Sequence, residues 1–211
     1  MRFSSRVVFD DHVFDILESV YEPAEDSFLF AENLNVGRGS EVLDMGTGCG
    51  ILAVIAAKKA GQVLAMDINP YAIKCAKKNA DSNGVGDLIS FVQGDLFAPL
   101  KMSKEFDLIL FNAPYLPSEE SKKDSWMERA WAGGSSGRNV IDRFLREAPK
   151  HIRPFGEIML MQSTLSNVEQ TIACLQKIGL EVGTIAKKDL PFFESIVLVR
   201  GVANRKTKQN G

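Results

Sequence analysis

Glu41-Val42-Leu43-Asp44-Met45-Gly46-Thr47-Gly48-Cys49-Gly50 is the stretch on which the reading of the fold turns. Val42-Leu43-Asp44-Met45 is a short buried-strand candidate, residues 46–50 a tight glycine turn, and residues 51–59 a helix. Strand, glycine turn and helix in direct succession open a βαβ unit. The pattern then repeats. Val63-Leu64-Ala65-Met66 is a second strand ending at Asp67, and Asn69 caps a helix with Pro70 at its first position and Ile73, Ala76 and Ala80 as its apolar stripe. Residues 88–92 give a third strand ending near Asp95, and residues 106–111 a fourth that runs into Asn112-Ala113-Pro114-Tyr115. Apolar strands alternating with helices indicate a parallel sheet covered on both faces.

Further on, Val140, Phe144 and Leu145 mark another helix, residues 157–161 a fifth strand, and Val168, Ile172 and Leu175 a helical stripe closed by Gly179. Residues 180–185 and 195–199 are two last strands, joined by Lys187-Lys188-Asp189-Leu190-Pro191 as a hairpin that sets one antiparallel strand into the sheet. The expected class is therefore α/β, a doubly wound, mostly parallel seven-stranded sheet with a C-terminal antiparallel hairpin strand. Upstream, Val7-Val8-Phe9 and the pairs Val13-Phe14 and Ile16-Leu17, split by Asp10-Asp11-His12, predict a small hairpin with His12 as a solvated turn residue. Residues 130–138 read as a flexible glycine-rich loop. A single domain is expected over residues 1–202, with residues 1–34 an N-terminal extension and helix packed on it, and residues 203–211 a disordered basic tail.

Composition narrows the function classes. A chain of 211 residues with 45% hydrophobic and 25% charged content can bury a substantial core. Its formal charge of −2 gives no global reason to expect non-specific attachment to nucleic acid. The three cysteines, Cys49, Cys75 and Cys174, are far apart and form no CxxC pair, so neither a disulfide framework nor a metal site is indicated. The longest apolar run, residues 51–57, is far short of the ~20 residues that span a bilayer. No secretory leader is recognised at the start, and a cytoplasmic location is expected.

The polar residues fall in one place. In an open α/β sheet, ligands bind outside the carboxyl ends of the strands. Asp44, Asp67, Asp95 and Asn112 stand at or just past four such ends, so they are expected to converge on one crevice. The pattern Asp44-x-Gly46-x-Gly48-x-Gly50 departs from the dinucleotide fingerprint, which would need glycine where Ile51 stands. A carboxylate before the glycines suits an ammonium-bearing ligand and repels a pyrophosphate. Asp67, 23 residues after Asp44, is placed to accept from both hydroxyls of a ribose, and Asp95 from an adenine amino group. Amino acid, ribose and adenine together describe S-adenosylmethionine.

The motifs "EVLDMGTGCG", "AMDINP" and "GDLF" resemble those of the class I S-adenosylmethionine-dependent methyltransferases. "VYEPAEDSF", "LILFNAPYLP" and "AWAGGSSGRNVIDRF" are similar to the HemK-like eukaryotic and archaeal branch, which methylates the glutamine of the GGQ tripeptide in translation termination factors. The resemblance runs from about residue 20 to 199. It implies cofactor contacts from Ser27, Asp44, Gly46, Asp67, Asp95, Leu96 and Asn112, with Gly48 and Gly50 in the same turn, and pocket walls from Tyr21, Glu25 and Asp26. It also implies a termination factor as substrate and a small zinc-binding activator subunit as partner. Read without the resemblance, residues 20–27 are equally an ordinary helix start, with Pro23 in the first turn.

The chemistry of Asn112-Ala113-Pro114-Tyr115 is that of an amine clamp. A primary amide nitrogen is a weak nucleophile because its lone pair is delocalised into the carbonyl, so it must be aimed. The Asn112 side-chain oxygen and the Ala113 carbonyl can accept its two N–H bonds, Pro114 holds Ala113 extended, and Tyr115 can lie over the amide plane. The family pattern has proline where this chain has Ala113, and alanine keeps the carbonyl. Residues 131–137 would sit at the substrate mouth or serve as a plain linker. Two other readings stay open: transfer to an exocyclic amino group of adenine or guanine in DNA or RNA, and a catalytically silent cofactor-binding subunit.

Overall fold

The alternation expected from residue 41 onward is realised in the computed structural model, which describes residues 3–118 and 125–204. In chain order the described elements are β1 (Phe3–Phe9), β2 (His12–Leu17), α1 (Glu25–Glu32), β3 (Glu41–Met45), α2 (Ile51–Ala57), β4 (Gln62–Asp67), α3 (Pro70–Ser82), β5 (Ile89–Gln93), β6 (Phe106–Asn112), α4 (Trp126–Trp131), α5 (Asn139–Glu147), β7 (Ile152–Ser163), α6 (Val168–Lys177), β8 (Glu181–Asp189) and β9 (Ser195–Val202). The main sheet has seven strands in the order β5-β4-β3-β6-β7-β9-β8. From β5 to β7 all pairs are parallel, and β9 is antiparallel to both β7 and β8. The order reverses direction between β3 and β6, the position where such sheets open a crevice.

Both faces are apolar because successive strand residues point to opposite sides. Val42, Leu108, Leu110, Met159 and Met161 face α1, α2 and α3, while Leu43, Ile109, Phe111, Ile158 and Leu160 face α5 and α6. Asp44 shares the side of Val42, two residues away, which brings its carboxylate to the start of α2. Asn69 caps α3 by accepting from Tyr71 N at 2.9 Å, with Pro70 in the first helical turn as the sequence predicts.

The N-terminal hairpin β1–β2 is present and docks on α3. Asn79 anchors it, its Oδ1 accepting from Asp15 N at 2.9 Å and its Nδ2 donating to Asp15 O at 3.1 Å, and Phe14 and Ile16 are fully buried. Burial of each such side chain is worth roughly 1.5–3 kcal/mol, which holds residues 3–17 against the domain.

Several expectations are corrected. His12 is not a solvated turn residue: it begins β2, is half-buried against the Phe14 ring, and has Nδ1 2.8 Å from Asp11. Pro23 lies before the Ala24 cap of α1 and outside its first turn, while Glu25 and Asp26 do occupy that turn. Lys187, Lys188 and Asp189 belong to β8 and not to the connection after it. Of the expected tail, Ala203 is buried, with its N donating to Gly156 O at 2.9 Å, and Asn204 Nδ2 donates to Gly179 O at 3.2 Å. Residues 205–211 lie outside the described residues, as do residues 119–124.

The glycine-rich segment is an ordered turn, not a flexible loop. Residues 126–131 are helical, Leu116 N donates to Trp131 O at 3.0 Å, Gly133 N to Leu116 O at 2.8 Å and Ser118 N to Gly134 O at 2.9 Å. A Cβ on Gly137 would lie 2.2 Å from Tyr115 O, so only glycine permits this approach. Arg138, 5% exposed, fastens the far side by donating to Ser166 O, Asn167 O, Thr171 Oγ1 and Asp142 Oδ1. The ordering follows from these bonds, which composition alone does not reveal.

Candidate active site

A cavity of about 630 Å³ opens at the carboxyl ends of β3, β4, β5 and β6, within the roughly 300–1,000 Å³ of small-molecule sites. The expected residues Tyr21, Asp26, Ser27, Asp44, Gly46, Gly48, Asp67, Asp95, Leu96, Asn112, Ala113, Pro114 and Tyr115 all line it. Gly50 and Glu25 do not. Gly50 has φ +88° and a Cβ there would sit 2.9 Å from the Ala76 Cβ, so its glycine serves the close packing of α2 on α3. Glu25 is turned outward to Lys188 of β8.

One end of the cavity suits a nucleoside. Asp67 closes β4 and is half-buried; its Oδ1 accepts from Asn69 N at 2.8 Å and its Oδ2 from Gly48 N at 2.9 Å. Each oxygen keeps a lone pair, and burial pushes the carboxyl up, against the lowering effect of those backbone bonds. Beyond β5, Leu96 has φ +46°, an unusual conformation for leucine, and lines the same cavity. Asp95 beside it has Oδ2 2.6 Å from an Arg143 guanidinium nitrogen. That ion pair was missed because nothing in the sequence links positions 48 residues apart.

The glycine turn forms the floor. Gly48 has φ +57°, and a Cβ there would find no atom nearer than Gly46 O at 4.0 Å, so the missing side chain leaves a bare backbone surface. Behind it Asp44 is 1% exposed, with Oδ2 accepting from Thr47 Oγ1 at 2.6 Å and Ala53 N at 3.1 Å. Burial, helped by the Asp67 charge, pushes its carboxyl up to about 7. A ligand carrying a positive charge there would favour ionisation.

The other end is organised by Asp26, which the resemblance names only as a pocket wall. Buried in the first turn of α1, its Oδ2 accepts from Asn112 Nδ2 at 3.0 Å and Tyr115 Oη at 3.1 Å, and its Oδ1 from Tyr21 Oη at 3.3 Å and Ser27 N at 2.7 Å. Burial and the nearby Asp26 carboxylate push both phenols up, so they remain donors. With Asn112 Nδ2 facing a carboxylate and the Ser27 hydroxyl at 3.3 Å, the amide has one orientation. Its Oδ1 is left buried and accepts no hydrogen bond. A buried acceptor without a partner is costly unless a ligand completes it.

Neither histidine takes part. His151 is buried under β6, stacked on Phe97 at 4.8 Å with Nδ1 2.7 Å from Lys104 O, and His12 lies in the N-terminal hairpin.

The model of the methyltransferase small domain family matches residues 22–189. A protein of Methanocaldococcus jannaschii, named provisionally as a protein N5-glutamine methyltransferase, is 43% identical over 181 residues, covering 85% of this chain and 90% of that one. Human methyltransferase HEMK2 is 36% identical over 178 residues, 79% of this chain and 82% of that protein. Among solved structures, the Encephalitozoon cuniculi Mtq2–Trm112 complex, described as responsible for methylation of the eRF1 translation termination factor, superposes with a TM-score of 0.68 at 22% identity, covering 88% of this chain and 99% of that one.

Proposed function

The chain belongs to the methyltransferase small domain family, and from that premise we propose that it methylates the side-chain amide of the GGQ glutamine in a translation termination factor. The cofactor is S-adenosylmethionine, which supplies an electrophilic methyl group on a sulfonium. The cavity's residues fit it: Asp67 for the ribose hydroxyls, the bare backbone at Gly48 for the amino-acid arm with Asp44 behind it, and the Asp95–Leu96 turn for the adenine.

The observation that carries the reading is the orphaned Asn112 Oδ1. Together with the Ala113 carbonyl it offers two acceptors to one NH2 group, and an amide nitrogen aimed by both of its N–H bonds has its lone-pair axis fixed. Asp26 keeps the polarity of this clamp correct by holding Asn112 Nδ2 behind it, and Tyr115, tethered by the same carboxylate, walls the acceptor plane. Positioning of this kind lowers the barrier without a strong base. The proton that the nitrogen sheds after transfer passes to water.

The relatives named as glutamine methyltransferases and the complex that methylates eRF1 support a protein acceptor over a nucleobase. That complex also supports a small partner subunit, which we place with this protein as a zinc-binding activator. Incubation with labelled cofactor, a GGQ-bearing termination factor and a nucleic-acid panel, with and without the activator, tests all of this. Label in the factor is expected; label in nucleic acid alone would overturn the reading.

A further inference from the structure

Phe192 and Phe193, in the turn between β8 and β9, stand in solvent at 95% and 104% exposure. Both have φ of +63°, a left-handed conformation that crowds the Cβ of a bulky L residue. Glycine or asparagine would fill such positions at less cost, so forming the turn does not call for phenylalanine at either one. The turn is braced. Leu190 N donates to Glu194 O at 2.8 Å, Ser195 N to Thr164 Oγ1 at 3.0 Å and Ser195 Oγ to Asp189 Oδ1 at 2.7 Å. Leu190 packs into the core on the α1 side, and Lys188 pairs with Glu25. Strained, exposed apolar side chains on a well-held turn mark a surface built for contact.

Topology puts this turn at the same edge of the sheet as the candidate site. β9 runs antiparallel to β7 with Ser163 opposite Ile196, while Asn112 lies opposite Met161 of β7. The start of β9 and the end of β6 therefore share one edge. Glu194, next to Phe193, is near enough to Tyr115 for its charge to act on that phenol, and Glu25, which holds Lys188, precedes Asp26.

A single side-chain amide offers the clamp two hydrogen bonds and little area, so choosing one glutamine requires contacts outside the cavity. On the glutamine-methylation reading given above, we infer that Phe192 and Phe193 form a docking anchor for the acceptor protein, seated in an apolar depression of its surface beside the glutamine loop. The flanking charges favour a protein over a nucleic acid. Lys187 is paired with Asp189 at 3.3 Å, Lys188 with Glu25, and Glu194 adds a carboxylate, so the tip carries no basic face for phosphates.

The test is the double variant Phe192→Asn/Phe193→Asn, since asparagine tolerates the left-handed backbone. Steady-state transfer to the intact termination factor should show KM raised at least about tenfold, as for loss of an interface anchor. The kcat and the cofactor affinity should stay within about twofold, and Phe192→Leu/Phe193→Leu should recover part of the loss. Equal KM, or a fall in kcat alone, would overturn the docking role while leaving the glutamine reading in place. A wild-type dimer that the variant converts to monomer in sedimentation would reassign the tip to self-association. Wild-type label in nucleic acid and in no protein would overturn the reading and the docking inference together.

Discussion

Replacing Asp26 by asparagine changes one oxygen to NH2 and adds almost no volume, so it isolates the polarity of the clamp. The new amide must keep an oxygen toward Ser27 N, the shortest of the Asp26 contacts at 2.7 Å, because that buried first-turn donor has no acceptor within α1. Its NH2 then faces Asn112 Nδ2 and Tyr115 Oη, which lie 3.0 and 3.1 Å from the oxygen it replaces. The tyrosine hydroxyl can rotate to accept, but Asn112 can satisfy the new donor only by flipping its own amide. The flip turns Nδ2 toward the substrate nitrogen and removes one of its two acceptors. A hydrogen bond to a charged group is worth ~1.5–3 kcal/mol, so kcat should fall about 10- to 150-fold. Cofactor affinity, which the proposed function assigns to Asp67 and the glycine turn, should change by less than about threefold. Transfer kinetics at saturating acceptor and calorimetric titration of the cofactor measure the two separately. An unchanged kcat, or a loss confined to cofactor binding, would refute the orienting role of Asp26.

Asp67→Ala should raise the cofactor Kd by about 10- to 150-fold through loss of the ribose acceptors, with kcat at saturating cofactor within about threefold; equal binding would contradict the ribose assignment. Asp44 is held up to about 7 by burial, above its unfolded range, so the folded protein binds its proton more tightly. The stabilisation this gives is present at low pH and lost as pH rises through about 7. The melting temperature of the ligand-free protein should therefore decline from about pH 5 to 8, and Asp44→Asn should flatten the decline; a parallel slope in the variant would exclude Asp44 as its source. Ala113→Pro removes a weak bond from Ala113 N to Met161 O at 3.4 Å and stiffens the loop by ~0.5–1 kcal/mol. These offset, and kcat should change by less than about threefold; an active variant of an inactive natural protein would mean the Ala113 loop is not competent.

What was legible in the sequence follows from local rules. Strands β4 and β6 are short apolar runs ended by a polar residue, so the run, its boundary and the side chain at its mouth appear in adjacent letters, and Asp67 and Asn112 could be placed. The N-terminal hairpin was legible for the same reason. What stayed hidden depends on partners distant in the chain. The resemblance marks Asp26 as a pocket wall, but its hold on Asn112, 86 residues later, shows only once the fold brings the two together. Gly50 shares a motif with Gly48, but only the approach of Ala76 shows that one glycine serves packing while the other lines the cavity. Residues 130–138 have the composition of a flexible linker, and their order comes from Leu116, Tyr115 and the buried Arg138, which composition does not record. The exposure of Phe192 and Phe193 runs against hydrophobic patterning and becomes visible only once the turn that carries them is built.

The central claim is that the orphaned oxygen of Asn112 and the carbonyl of Ala113 grip a glutamine amide. Tandem mass spectrometry of the termination factor after incubation with enzyme, cofactor and activator tests it most directly. The account predicts a single methyl on the side-chain nitrogen of the GGQ glutamine, absent with Asn112→Ala although that variant still binds cofactor. A methyl on any other residue, or an undiminished yield from Asn112→Ala, would contradict it.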